Sequence, residues 1–344
     1  MRDASFASDN AAGAHPAVLE AIARANVGAA LAYGNDPWTA RAIEKVREAV
    51  GRADAAVFFV YAGTGANVLS LRALATRVES VLCADTAHLI GAETAAPQVV
   101  GGVQLLPVAT ARGKMTPEAL RAALPARLGD HRPRPSVLSL TQATERGTVY
   151  TVHELRALVE AAHALELTVH MDGARLMHAA AALGCELADL TGHVGVDVVS
   201  FGGTKNGLLM GEAVVVMDPA RARDVGRHRK QITQLASKMR FLSAQFEAVL
   251  TDGLWREIAT ASLRAARRLG EGVAAIPGVR LAAPVETNAV FVELPVAASK
   301  RLQTRYAFEI WDTTTGLVRW MTAHDTTDAQ VDAFLADIRA AVAG

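Results

Sequence analysis

Cysteine is nearly missing from this chain, which has only Cys83 and Cys185 among 344 residues. The two stand in no CxxC or metal-ligand spacing, which excludes a disulfide framework and a thiolate zinc centre and fits a reducing compartment. An excess of one charge is missing as well. Thirty-five Lys and Arg balance 35 Asp and Glu, so the chain lacks the basic surface on which nucleic-acid and membrane-surface binding rest. No apolar run approaches the roughly 18 residues of a spanning helix. The opening Met1-Arg2-Asp3-Ala4-Ser5-Phe6 has no apolar stretch of a secretory signal, and no internal repeat is visible. These absences lead to the expectation of a cytoplasmic protein whose partner is a small molecule, with no bound metal, nucleic acid or membrane.

Apolar residues, by contrast, make up 51% of the chain, enough for a sizeable core, and the length suits one large domain with a smaller one. From Ala55 to Met217, short β-branched or aromatic runs alternate with helical patterns, the signature of βαβ units around a largely parallel sheet. Strands are predicted at Ala56–Val60, Ser80–Ala84, Val103–Val108, Ser136–Leu140, Leu167–Met171, Val196–Phe201 and Glu212–Met217. Thr151-Val152-His153-Glu154 reads as a capping box opening a helix, and Pro16 and Pro117 suit first-turn positions. After Pro219 the pattern changes to a basic stretch, two long helices and a mixed strand-helix tail. The expected division is an N-terminal segment over 1–38, a large α/β domain over 39–250 and a small C-terminal domain over 251–344.

In an open parallel sheet, ligands collect at the carboxyl ends of the strands, and the chemically notable residues fall there. Gly63-Thr64-Gly65-Ala66-Asn67 follows a strand and opens a helix, so its backbone N–H groups can receive a phosphate. Asp172, in His170-Met171-Asp172-Gly173-Ala174-Arg175, ends an apolar strand. Lys205, in Ser200-Phe201-Gly202-Gly203-Thr204-Lys205, leaves the next strand through two glycines. Singly, these would be a glycine turn, a helix N-cap and a surface lysine. Together they supply what pyridoxal 5'-phosphate (PLP) requires: a phosphate cradle, a carboxylate for the ring nitrogen and an amine for the exchangeable imine. The nearby Thr204 and Arg175 join the expected cofactor contacts, and His88 is placed to stack on the ring. A nicotinamide site is disfavoured, because the glycine turn lacks the third glycine of GxGxxG in register.

In this order the residues resemble the fold-type I PLP enzymes, and among them the low-specificity L-threonine aldolases and phenylserine aldolases of the β-eliminating lyase group. The resemblance runs from Ser8-Asp9-Asn10 and His15-Pro16, through Tyr33-Gly34-Asn35-Asp36, to Gly316-Leu317-Val318-Arg319-Trp320. It implies an aspartate-aminotransferase-like α/β fold and an aldehyde-lyase that cleaves L-threonine, L-allo-threonine or phenylserine to glycine and an aldehyde. It also implies that Ser8, Arg175 and Arg319 clamp the substrate carboxylate, and that His88 or His131 serves the β-hydroxyl. Tyr33 would serve the neighbouring subunit's site in a homodimer or homotetramer. Two stretches depart from the common family pattern: Thr141-Gln142-Ala143-Thr144-Glu145, where many members read Glu-Asn-Thr, and Leu235-Ala236-Ser237-Lys238-Met239-Arg240-Phe241. An aminotransferase or β-eliminating lyase, breaking Cα–H, is the alternative within the same fold. A binding module that has lost catalysis is disfavoured by the intact lysine and aspartate.

Overall fold

The computed structural model describes residues 4–124 and 129–343. A two-residue strand, β1 (Ala4–Ser5), is followed by β2 (Ala56–Val60), β3 (Glu79–Ala84), β4 (Gln104–Val108), β5 (Arg134–Thr141), β6 (Thr168–Gly173), β7 (Val198–Gly202) and β8 (Glu212–Val216). The last seven form one sheet in the order β2-β8-β7-β6-β5-β3-β4. Only β8 runs against its neighbours, so the sheet is mainly parallel. Each predicted strand is present. β6 and β7 run on through Asp172-Gly173 and Gly202, with Asp172 paired opposite Ser200, so the two functional segments leave the sheet later than the apolar pattern alone indicates.

The Val-rich runs of β7 and β8 are buried at every position, as expected of strands covered on both faces. The Thr151–Glu154 capping box closes the start of the helix Val152–Ala164, and Pro16 and Pro117 occupy first-turn positions.

A second, antiparallel sheet pairs β9 (Arg280–Leu281), β10 (Ala289–Glu293), β12 (Glu309–Asp312) and β13 (Leu317–Met321), while the short β11 (Tyr306–Ala307) pairs parallel with β1. Its core gathers Val290, Val318, Trp320 and Phe334, and Phe6 stacks on Phe334 with centroids 4.3 Å apart. The helix Leu254–Ala274 joins the two cores: Trp255 and Ile258 pack with the large sheet, and Leu269 and Val273 with the small one. No helix among the described residues is long and apolar enough to cross a membrane.

Candidate active site

A cavity of about 390 Å³ opens at the carboxyl ends of β2, β3, β5, β6 and β7. Gly63 and Thr64 line it where the helix Gly63–Leu74 begins. The cap residue of that helix, Ala62, gives no side-chain hydrogen bond, so its first amides and the positive end of its dipole remain available to an anion. A Cβ on Gly63 would meet no atom within 4 Å, which leaves open space where a phosphate would sit. Gly65 does not line the cavity. Its α-carbon packs under Gln234, whose Oε1 accepts the Tyr61 N–H at 3.0 Å.

One helical turn beyond Gly63, Asn67 donates to Asp172 Oδ2 at 2.9 Å and to Glu93 Oε1 at 2.8 Å. The Ala174 N–H donates to Asp172 Oδ1 at 3.0 Å, so the buried aspartate is held from two sides. Glu93 Oε1 also bonds His88 Nδ1 at 2.8 Å. That bond raises the His88 pKa above its ordinary value, against the effect of burial.

Lys205 sits in the turn Thr204–Asn206 that follows β7. Its pKa is lowered, first by the Arg175 guanidinium and then by burial, and the attraction of Asp9, Asp172 and Glu212 only partly offsets this. Thr204 lines the cavity, and its hydroxyl accepts the Gly211 N–H at 3.0 Å. Gly202 explains how Lys205 comes so near Asp172. A Cβ there would lie 2.6 Å from Ala174 Cα and 2.7 Å from its carbonyl oxygen, so only glycine lets the two strand exits touch. Gly202→Ala is therefore expected to cost about 1–3 kcal/mol and to weaken PLP binding. Urea unfolding and a PLP titration check this, and unchanged stability would contradict it.

Arg175 Nε and Nη2 grip Asp9 at 2.7 and 2.8 Å, and Asn288 also donates to Asp9 Oδ2 at 3.0 Å. Arg319 lies over the Trp311 ring at 4.7 Å, and its buried Nε has no hydrogen-bond partner among the described residues. Its pKa is lowered by burial and then by Arg175. Arg319 does not line the cavity but lies close enough to Arg175 and Asp9 to feel both charges, and two guanidiniums near a single aspartate fit a further carboxylate.

Besides Gly65 and Arg319, which are also absent from its lining, three expected residues lie outside this cavity. His131 requires the clearest correction: it precedes β5 and lines a separate cleft with Leu82, Gln104 and Pro133 at the opposite end of the sheet. Ser8 is also absent from the lining. Its Oγ accepts the Asn10 N–H at 3.1 Å and caps the turn Asp9–Ala11. Tyr33 is half exposed, away from its own chain's cavity, with Lys230 over its ring at 5.4 Å.

Other cavity residues were not singled out from the sequence. Glu212 accepts the Gly203 N–H at 2.7 Å, and burial pushes its carboxyl up to about 7. Its signal was a charge at the start of an otherwise apolar strand. Asn67 was legible from helical spacing. Glu93, on an irregular segment, gave no signal.

The beta-eliminating lyase family model matches residues 5–297. The chain belongs to this family. It is 43% identical over 97% of both chains to a low specificity L-threonine aldolase of Pseudomonas sp. (strain NCIMB 10558). To the protein of that name from Pseudomonas aeruginosa it is 44% identical, over 97% of this chain and 96% of that one. The solved threonine aldolase of Leishmania major superposes with a TM-score of 0.92 at 28% identity, over 98% of this chain and 99% of that one. The fold of this family member is the aspartate-aminotransferase-like, type I PLP fold, and its cofactor is PLP. The open space at Gly63, the anchored Asp172 and the depressed Lys205 amine fit that cofactor's phosphate, ring nitrogen and aldehyde. Among the described residues, no group of acidic, His and Cys side chains is suited to a metal.

Proposed function

We propose that this enzyme cleaves L-threonine, L-allo-threonine and related β-hydroxy-α-amino acids, phenylserine included, to glycine and an aldehyde. The observation that carries the reading is the convergence of Gly63-Thr64, Asp172, Lys205 and His88 on one cavity, in a chain similar along nearly its whole length to threonine aldolases. When bound, PLP supplies an aldehyde that condenses with amines and a protonated ring that accepts the electron pair of the broken bond. Asp172, fixed by Asn67 and the Ala174 amide, holds the proton on the ring nitrogen. Lys205, with its lowered pKa, gives up its proton more readily than an ordinary lysine, which suits an amine that exchanges with the substrate amine.

The free edge of Arg175 and the unpartnered Nε of Arg319 grip the substrate carboxylate. Holding the carboxylate there would restrict rotation of the amino acid about Cα, and that orientation would supply the selectivity over Cα–H cleavage. His88 takes the β-hydroxyl proton, a step typically contributing about 10² to 10⁴ in rate. Neutral imidazole is the active form, so its raised pKa places the acid limb of kcat/KM at higher pH. Glu93→Gln is expected to move that limb down by on the order of 1 unit. The pH dependence of aldehyde release reads this directly, and an unmoved limb would remove His88 from the role.

A homodimer or homotetramer with shared sites belongs to the same proposal. Tyr33, with the exposed Val27 and Leu31 near it in sequence, would face the neighbouring subunit's cavity. A cytoplasmic location is proposed on the free cysteines Cys83 and Cys185. The test of the reaction is joint measurement of glycine and aldehyde from the three substrates with added PLP. Equal amounts of both products support aldol cleavage. Keto-acid formation in their place would move the enzyme to the aminotransferase alternative.

A further inference from the structure

The segment leaving β5 is the stretch that departs from the family's Glu-Asn-Thr, and it brings the Glu145 carboxyl to the cavity wall. Glu145 Oε1 is pinned: it accepts the backbone N–H of His88 at 2.7 Å and the hydroxyl of Thr141 at 3.0 Å. The carboxyl therefore cannot swing away from the cavity wall. Oε2 is shielded from solvent and has no hydrogen-bond partner among the described residues. A buried polar atom in that state is costly unless a partner arrives.

Among the described residues no neighbour fills the role. The titratable and charged groups around it are Asp172, Arg175, His88 with Glu93, Tyr150 and Cys83. Arg175 is engaged by Asp9, His88 by Glu93, and the Tyr150 hydroxyl accepts the Met115 N–H at 2.6 Å. Burial and then the charge of Asp172 raise the Glu145 pKa, which favours the protonated form, a donor.

We propose that Glu145 is a further ligand-contacting residue, its Oε2 pairing with a hydroxyl-type oxygen carried either by the cofactor ring or by the β-carbon of the amino acid. The proposal rests on the PLP and aldol reading above. Glu145→Gln keeps an acceptor for the His88 N–H and offers a fixed N–H donor in place of the carboxyl proton. Glu145→Ala offers neither.

Both holoenzyme variants are to be read in two arms. In the first, the visible absorption of PLP on the enzyme is followed across pH without substrate. A ring-oxygen contact shifts the pH midpoint of that band by about 1 unit in Glu145→Ala, and Glu145→Gln brings it back toward the parent. In the second, a β-hydroxyl contact leaves the band unmoved and lowers kcat/KM about tenfold in Glu145→Ala, roughly the loss of one hydrogen bond, with recovery in Glu145→Gln. Thermal midpoints of the cofactor-free proteins are measured alongside. The proposal is overturned if both variants match the parent within about twofold in both arms. It is equally overturned if losses in both track a lowered thermal midpoint, the mark of a carboxyl that only pins His88 and Thr141. A parent protein with no visible band on PLP addition overturns the cofactor reading itself, whereas a normal band with unaffected variants overturns this proposal alone.

Discussion

Lys205→Ala is expected to lower kcat/KM for aldehyde release by about 10³-fold or more, because no other amine in the cavity can replace the covalent step. The same substitution should leave the cofactor-free protein at least as stable as the parent. The Lys205 pKa is depressed in the folded state by Arg175 and by burial, so the unfolded chain binds its proton more readily. A depressed lysine thus costs stability wherever pH lies below its unfolded value near 10.4, and removing it relieves that cost at pH 7. Steady-state kinetics and thermal unfolding together separate this outcome from simple misfolding. A fall in activity accompanied by a lowered thermal midpoint would speak against the reading.

Asp9→Ala is expected to have the largest effect on stability. Asp9 is fully buried and takes both the Arg175 fork and the Asn288 amide. It ties the N-terminal turn to a helix start on the large sheet and to the residue that precedes the inner strand β10 of the small one. Its loss leaves Arg175 buried without a partner, close to Lys205 and Arg319, and breaking a buried pair this way costs about 3–5 kcal/mol. For a chain of this size that corresponds to a drop in Tm on the order of 5–10 °C. The pH dependence follows from the sign of the shift. Arg175 holds the Asp9 carboxyl well below the usual aspartate range, so its contribution is fully present above the unfolded value near pH 3.9 and is lost only as pH falls below it. The parent and the variant should therefore differ fully at pH 7 and converge toward strongly acid pH. Differential scanning calorimetry at neutral and acid pH measures both, and equal Tm values at pH 7 would contradict the account.

The strand ends were legible because the chemistry sits where period-2 apolar runs give way to glycine and a helix start. That is why Gly63-Thr64, Asp172 and Lys205 could be grouped before any contact was known. What holds them was less legible. Asn67, Glu93 and His88 meet through a long-range loop, and hydrogen bonds of that kind leave no local pattern. The placement of His131 fails for a reason that was present in the sequence: it stands before the strand beginning at Arg134, hence at the amino end of a parallel sheet whose sites lie at the other. Ser8 lies off the cavity lining for another reason. A serine before Asp9-Asn10 is a ready cap for a helical turn, and its hydroxyl is engaged there.

The central claim is that Lys205 is the residue that carries the cofactor. Borohydride reduction of the PLP-loaded protein, followed by digestion and mass spectrometry, tests it most directly. The account predicts one pyridoxyl-modified peptide, with the modification on Lys205. Modification at another lysine, such as Lys114 or Lys230, with Lys205 unmodified, would contradict it.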